Sequence, residues 1–151
     1  MYGLTLPPNA DRLFVAEPPP SYLHAQPVVV DCSALAGILF QEPWADVAVQ
    51  QLVGKRLHAP HLLPVELTSV ALKKHKQGFR DIAADGLAQL AELDLTFHPL
   101  QVERVLSLAL QYQLTAYDAA YLWLAAELTC PLVTFDQQLA QAAKAHLGSL
   151  P

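Results

Sequence analysis

The chain has few charged side chains, little cysteine and no long apolar run, and each absence excludes a class of protein. Charged residues make up 15% of the 151 residues and hydrophobic residues 53%, which excludes disorder for most of the chain. No run of 18 apolar residues occurs, so no membrane-spanning helix is predicted, and the N-terminus lacks the pattern of a secretory signal. Cys32 and Cys130 lie far apart without C-x-x-C spacing, which favours a reducing cytoplasm over a disulfide framework.

Basic side chains are also scarce. Nine Lys and Arg residues against fourteen Asp and Glu give a net charge of −5, whereas a protein that holds nucleic acid by phosphate contacts alone is usually basic. The motifs G-x-G-x-x-G and G-x-x-x-x-G-K-[ST] do not occur, so nucleotide-binding folds are disfavoured. If the protein acts on RNA, divalent cations or a basic partner protein must offset its acidic groups.

Proline divides the chain into two parts. Six of the twelve prolines fall within residues 1–27, a segment expected to be extended rather than helical. We therefore predict a proline-rich N-terminal extension at residues 1–27 and one folded domain at residues 28–151. A mispredicted start of the chain is the alternative explanation for the extension.

From residue 28 onward, short apolar runs alternate with helical patterns. Strands are predicted at about 28–30, 56–59, 93–97 and 131–134, and helices at about 33–40, 43–54, 63–76, 79–90, from 99, at 115–128 and at 136–148. The first helix has Ser33 as its expected N-cap. Strands that alternate with helices predict an α/β fold, with a parallel sheet of four or five short strands and helices on both faces.

Four acidic residues stand at the starts of predicted helices: Asp31, Glu66, Asp118 and Asp136. Taken singly, each has a structural explanation, because acids at such positions cap helices or suit the macrodipole. In an open parallel sheet, however, these junctions lie along the carboxyl edge, where ligands bind. Acids that converge there without basic neighbours repel one another, and a hard cation such as Mg²⁺ would relieve that repulsion. Such an ion could activate a water against a phosphodiester.

The segments that carry these acids resemble the PIN-domain family. Residues 28–35 (VVVDCSAL) are similar to its opening strand and D-x-S-x-L motif, and residues 64–67 (PVEL) to the helix that carries its second acid. Residues 114–125 (LTAYDAAYLWLA) resemble L-x-x-x-D-A-x-Y-x-x-L-A, and residues 132–139 (LVTFDQQL) resemble L-x-T-x-D-x-x-L. The resemblance covers about residues 28–147 in order and spacing. Its strength comes from the last two segments in combination with D-x-S, and the VapC-like toxins of bacterial toxin–antitoxin pairs are the nearest subgroup.

This resemblance implies a three-layer PIN-like fold and a magnesium-dependent endoribonuclease in which Mn²⁺ can substitute. It implies an RNA substrate, a bound antitoxin and a homodimer, and the surplus of apolar residues also favours the dimer. Asp31, Glu66 and Asp118 would form the main metal-binding trio, with Asp136 as a fourth member. Ser33 and Thr134 match positions where the family places hydroxyls near the site. No histidine lies in the matched motifs, so a metal-activated water is expected to attack and to leave 5′-phosphate and 3′-hydroxyl ends.

Further side chains are weaker candidates for function. The basic residues cluster at one place, where a patch that contacts RNA and a solvated helix end are both open interpretations: Lys73, Lys74, Lys76 and Arg80. Three aromatics could stack on bases, although burial in the core or an interface is their more usual fate: Tyr117, Tyr121 and Trp123. His58 and His61 have H-x-x-H spacing but no evident third zinc ligand.

Three alternative functions remain to be weighed. A catalytically inactive interaction module with the same fold is disfavoured because all four acids are present. A phosphotransfer domain with Asp31 as nucleophile would normally carry D-x-D, and residues 31–33 read D-C-S. A structure-specific DNA nuclease shares the metal chemistry, but the chain has no room for an added DNA-binding domain. Two departures from the short toxins are the proline-rich segment and a chain that ends where the family often adds a fifth short strand.

Overall fold

A parallel sheet of four short strands forms the centre of the molecule. The computed structural model describes Ala16 and residues 25–151. The strands are β1 (Pro27–Val30), β2 (Arg56–Pro60), β3 (Leu95–His98) and β4 (Leu132–Val133). The helices are α1 (Cys32–Leu39), α2 (Ala45–Leu52), α3 (Leu63–Lys76), α4 (Arg80–Glu92), α5 (Val102–Tyr112), α6 (Ala116–Leu128) and α7 (Gln137–Gly148). No helix in the described part of the chain is long and apolar enough to cross a membrane.

The strand order in the sheet is β3-β2-β1-β4, and every neighbouring pair is parallel. The chain therefore builds outward from β1 to β3 and then returns to add β4 on the other side of β1. Val29 pairs with Leu132 and Val30 with Val133, so β1 and β4 end side by side. Ligands of open α/β sheets bind beyond the carboxyl ends of the strands at such a reversal of order. The topology thus singles out the residues that follow β1 and β4.

The core lies between the sheet and its flanking helices, and α6 is its most buried helix. Seven consecutive residues of α6, from Ala119 to Ala125, are buried, as expected of a helix that is apolar on all sides. Val29 and Val30 on β1 are fully buried as well, which explains why this central strand is a continuous β-branched run. Helix α6 packs against β1 and β2.

Close helix packing depends on a glycine at the contact between α1 and α4. A Cβ atom on Gly86 would lie 2.4 Å from Cε1 of Phe40 and 2.7 Å from the carbonyl oxygen of Leu39. Phe40 is almost fully buried, so its ring has little room to move away. Gly86 therefore sets the distance between α4 and the end of α1.

The predicted α/β class, with a parallel sheet flanked by helices, is confirmed, although several element bounds differ. Helix α1 is capped by Asp31, whose carboxylate accepts a hydrogen bond from the Ala34 amide, so the expectation of a Ser33 cap was wrong. Helix α5 begins at Val102 rather than at Pro99. The described residues form four strands, and the optional fifth is not among them. The predicted extension at residues 1–27 lies outside the described residues except for Ala16 and residues 25–27, and the last of these opens β1.

Candidate active site

Asp31 occupies the end of β1 at the reversal of strand order, and it is the one buried charged residue in the described part of the chain. Its Oδ1 accepts hydrogen bonds from the Ser33 hydroxyl at 2.8 Å and from the Ala34 amide at 3.0 Å. Its Oδ2 accepts a hydrogen bond from the Thr134 hydroxyl, which follows β4. Three donors thus fix the orientation of this carboxylate, as a buried charge requires.

The same hydroxyls tie Asp31 to the start of α7. The Phe135 amide donates to Oγ of Ser33 at 2.8 Å, and the Asp136 amide donates to Oγ1 of Thr134 at 2.9 Å. Asp136 in turn caps α7, because its Oδ1 accepts a hydrogen bond from the Leu139 amide at 2.8 Å. The segment from Thr134 to Asp136 is therefore held over Asp31 by a continuous chain of hydrogen bonds.

Glu66 reaches the site from the first turn of α3, and a tyrosine of α6 orients it. The hydroxyl of Tyr121 donates to Oε1 of Glu66 at 2.6 Å. Tyr121 is 1% exposed, so its ring cannot move without disturbing the core. Glu66 is consequently fixed by a rigid partner that lies in the same helix as Asp118.

Asp118 lies in the first turn of α6, where Thr115 is the N-cap. The Thr115 hydroxyl accepts a hydrogen bond from the Asp118 amide at 3.1 Å, which is the capping geometry expected from the T-x-x-D spacing. This places the half-buried Asp118 carboxylate at the helix end that faces the acids after β1 and β4. Asp118 therefore belongs to the helix cap and also lies near the other acids.

The acids perturb one another electrostatically. Burial raises the pKa of Asp31, and the charge of Asp136 raises it further, against the lowering effect of the three hydrogen bonds. Burial likewise raises the pKa of Glu66 and of Asp118, and Asp31 adds to both shifts. Raised pKa values in neighbouring acids are typical of functional sites, where burial and, to a lesser extent, like charges oppose ionisation.

No cation of the protein offsets this charge within residues 25–151. The two ion pairs there join Lys74 to Glu42 at 2.5 Å and Arg104 to Glu127 at 2.7 Å, and neither includes a site acid. The donor chemistry therefore fits a hard divalent cation, which prefers carboxylate oxygens and keeps several waters. Among the same residues, no three His, Cys, Asp or Glu side chains are arranged to hold a metal ion directly. A cation at this site would accordingly take waters among its ligands.

Cys32 adjoins Asp31 but is no candidate nucleophile. Burial, with the charges of Glu66 and Asp31, raises the pKa of its thiol to about 12. The thiol therefore stays protonated at neutral pH, and only a thiolate is strongly nucleophilic.

The other sequence candidates lie at several places in the fold, and Tyr121 among them contacts Glu66. Tyr121 and Trp123 are buried in the core, so they cannot stack on a base, whereas Tyr117 is 62% exposed beside Asp118. Nδ1 of His58 lies 2.9 Å from Nε2 of His98, and the pair belongs to no metal-binding group of three within the described residues. The basic residues extend from the last turn of α3 into α4, so they begin at the opposite end of α3 from Glu66. Lys74 forms an ion pair with Glu42, and the other basic residues of this cluster are exposed: Lys73, Lys76 and Arg80.

Two aromatic residues near the acids, Trp44 and Phe135, were not predicted as site residues from the sequence. Trp44 and Phe135 have ring centroids 6.1 Å apart, with their planes at 52°. The indole N–H of Trp44 donates to the carbonyl oxygen of Ser33 at 3.4 Å, and Phe135 follows Thr134 directly. Trp44 precedes α2 and Phe135 precedes α7, so only the folded chain brings them together.

A family model of the PIN domain matches residues 28–145, which include all four acids. The chain belongs to the PIN-domain family. It is similar to VapC ribonuclease Mb0985 of Mycobacterium bovis, with 37% identity over 124 residues that cover 79% of this chain and 93% of that protein. It is also similar to Ribonuclease VapC3 of Pyrobaculum aerophilum, with 32% identity over 123 residues, or 76% and 92% of the two chains.

A solved structure shares the architecture of this PIN domain. The crystal structure of PAE2754 from Pyrobaculum aerophilum aligns with a TM-score of 0.62 and 25% sequence identity, covering 82% of this chain and 88% of that chain. The family and the fold expected from the four motif segments are thus confirmed.

Proposed function

We propose that this PIN domain is a magnesium-dependent endoribonuclease and the toxin of a VapC-type toxin–antitoxin pair. The observation that carries the proposal is the meeting of Asp31, Glu66 and Asp118 from three separate chain segments, with pKa values raised by burial and by one another. A purely structural cluster would be expected to recruit a lysine or arginine, since uncompensated like charges are costly. The names of the similar VapC ribonucleases supply the substrate class, RNA.

Each acid has a distinct part in this proposal. Asp31 and Asp118 would hold the cation, Glu66 would hold or orient it through a water, and Asp136 would complete the site or position the nucleophile. Bound Mg²⁺, or Mn²⁺ in its place, would supply a water of lowered pKa and stabilise charge on the phosphodiester. Ser33 and Thr134 keep the Asp31 carboxylate oriented, and Tyr121 does the same for Glu66. Hydrolysis by water would leave 5′-phosphate and 3′-hydroxyl ends.

Partners and organisation follow from the same proposal. An acidic chain that acts on RNA in the cytoplasm is expected to be restrained by an antitoxin, as in VapC-type pairs, and to form a homodimer. Residues 28–151 would form the nuclease domain, and residues 1–27 an appended segment. The exposed Lys73, Lys76 and Arg80 would add a secondary contact to the RNA backbone. Light scattering at micromolar concentration tests the dimer, and a monomer mass would contradict it.

One assay tests the proposed activity. The purified protein is incubated with a total RNA pool and with single-stranded DNA of matched length, in magnesium and in chelator, and the cut ends are mapped. We expect magnesium-dependent cleavage of RNA with ends that a ligase can join, and no cleavage by Asp118→Asn. Cyclic-phosphate ends, or full activity in chelator, would overturn the metal-carboxylate mechanism. Cleavage of DNA alone would indicate a DNA nuclease, and no cleavage of either substrate an inactive module.

A further inference from the structure

The aromatic pair Trp44–Phe135 is built into the same network as the acids. The Phe135 amide donates to Oγ of Ser33, the Trp44 indole donates to the carbonyl oxygen of Ser33, and the Ser33 hydroxyl donates to Asp31. One serine thus contacts both aromatic residues and the buried carboxylate. The pair therefore has a defined position relative to Asp31, which a loosely attached surface aromatic would lack.

Exposed aromatic rings at this place require an explanation. Trp44 is 39% exposed and Phe135 41%, although rings of this size bury a large apolar area when they are in the core. Their planes meet at 52° instead of stacking flat, so each ring keeps a face that is not covered by the other. Such an open, angled pair can receive a planar group upon the outer face of either ring.

A glycine on α1 makes the position of Trp44 possible. A Cβ atom on Gly37 would lie 2.5 Å from Nε1 and 2.6 Å from Cδ1 of Trp44. The indole therefore lies directly against the backbone of α1, where any larger residue would displace it. This gives a means of moving Trp44 without altering Trp44 itself or any of the acids.

We infer that Trp44 and Phe135 bind an unpaired base of the RNA next to the scissile phosphate, and this inference rests on the proposed function. The charge of the protein favours this occupant. The net charge is −5, and within residues 25–151 no ion pair includes the acids, so contacts to the RNA backbone alone provide little affinity for a polyanion. Stacking of bases on aromatic rings is independent of phosphate charge and tolerates any base sequence. Phe135 lies between Thr134 and Asp136 in the chain, and Trp44 contacts Phe135, so the pair would supply that binding beside the acids.

Fluorescence reports on this contact without requiring cleavage. The chain has two tryptophans, and Trp123 is 6% exposed in the core, so a base that stacks on the surface should quench Trp44 alone. A short single-stranded RNA is titrated into Asp118→Asn protein, alongside the same oligonucleotide with abasic sites. We expect saturable quenching by the first and little by the second. Equal quenching and equal Kd for both oligonucleotides would show that the backbone alone is bound and would overturn the inference.

Substitutions then separate binding from chemistry. Trp44→Leu and Phe135→Leu should each raise Kd and KM about tenfold, with a smaller change in kcat. Trp44→Phe and Phe135→Tyr should retain the affinity, and Gly37→Ala should weaken it by displacing the indole. Val102→Ala is the matched control, because it removes exposed apolar surface from α5, which packs on α6.

The outcomes distinguish this inference from the proposed activity. Cleavage of RNA with unchanged Kd and KM in both leucine variants would leave the nuclease standing and refute the aromatic contact. Base-dependent quenching without cleavage by the wild type would refute the nuclease and retain the contact. If Trp44→Leu converts a dimer into a monomer and leaves the RNA affinity unchanged, the pair belongs to a subunit contact and the inference is wrong. Melting temperatures confirm that each variant is folded.

Discussion

The hydrogen bond from Thr134 to Asp31 offers a test of how the buried carboxylate is maintained. Thr134→Val keeps the shape of the side chain and removes its hydroxyl. Oδ2 of Asp31 then loses its donor, while Oδ1 keeps the Ser33 hydroxyl and the Ala34 amide. The Asp136 amide also loses its acceptor, but Asp136 is exposed and water can replace it. The expected cost is that of one buried, charged acceptor left without a partner.

That cost is about 2 kcal/mol at neutral pH, since hydrogen bonds to charged groups contribute about 1.5–3 kcal/mol. In a chain of this size it should lower Tm by roughly 4–8 °C. Urea unfolding followed by circular dichroism measures the free energy directly. Thr96→Val is the control, because Thr96 is an exposed residue on a strand, where valine is well accommodated. Its effect should stay within about 0.5 kcal/mol.

The pH dependence of the difference in unfolding free energy between Thr134→Val and wild type identifies the cause of that difference. Burial raises the pKa of Asp31 above the ordinary value of 3.8, and the Thr134 hydrogen bond opposes that rise, so the variant should have the higher pKa. A carboxyl group with a raised pKa takes up a proton on folding, so its destabilising effect is full above the folded pKa and disappears as pH falls towards the unfolded value. The difference in the free energy of unfolding between variant and wild type should therefore become smaller as the pH is lowered from 7. A gap below 0.5 kcal/mol at pH 7, or one that is constant with pH, would refute this account.

Three further predictions follow from the same structure. Asp118→Asn should abolish cleavage and raise Tm. The reason is that burial and the charge of Asp136 raise the pKa of this carboxyl group, so its charged form destabilises the fold. A lowered Tm with retained activity would mean that Asp118 only stabilises the start of α6. Magnesium should raise the Tm of the wild type with increasing concentration, and much less that of Asp118→Asn, as thermal melts would show. Gly86→Ala should destabilise the fold by about 1–3 kcal/mol through its clash with Phe40, whereas Gly148→Ala, with nothing within 4 Å, should be close to neutral in urea unfolding.

The raised pKa values link stability to the proposed activity. Burial opposes the charged forms of Asp31, Glu66 and Asp118, so each ionised acid reduces the stability of the fold at neutral pH. A bound cation would reverse that effect, which is why the metal titration and Asp118→Asn should move Tm in the same direction. Under the proposed function, activity and stability would oppose each other at these positions, as is common at active sites.

The sequence by itself determined the class of fold, and it singled out four acids as candidates for the site. Its hydrophobic periods predict four strands in alternation with helices, because the spacing of apolar residues directly reflects the face that a strand or helix buries. The predicted span of α3 is the observed one, Leu63–Lys76. Motif spacing also identified the family, because the segments around Asp31, Asp118 and Asp136 combine local backbone needs with site chemistry. These signals are local, and local patterns are what a sequence displays.

Only the tertiary structure decided which residues meet. The strand order β3-β2-β1-β4 puts Thr134 beside Asp31, although they are 103 residues apart in the chain. The partner of Glu66 is Tyr121, and no spacing rule could have paired them. Trp44 and Phe135 belong to loops without periodicity, and their contact depends on Gly37 and on the network of Ser33. Such contacts join residues that are far apart in the chain, and they depend on how all the intervening helices and strands pack. A local sequence pattern therefore does not predict them.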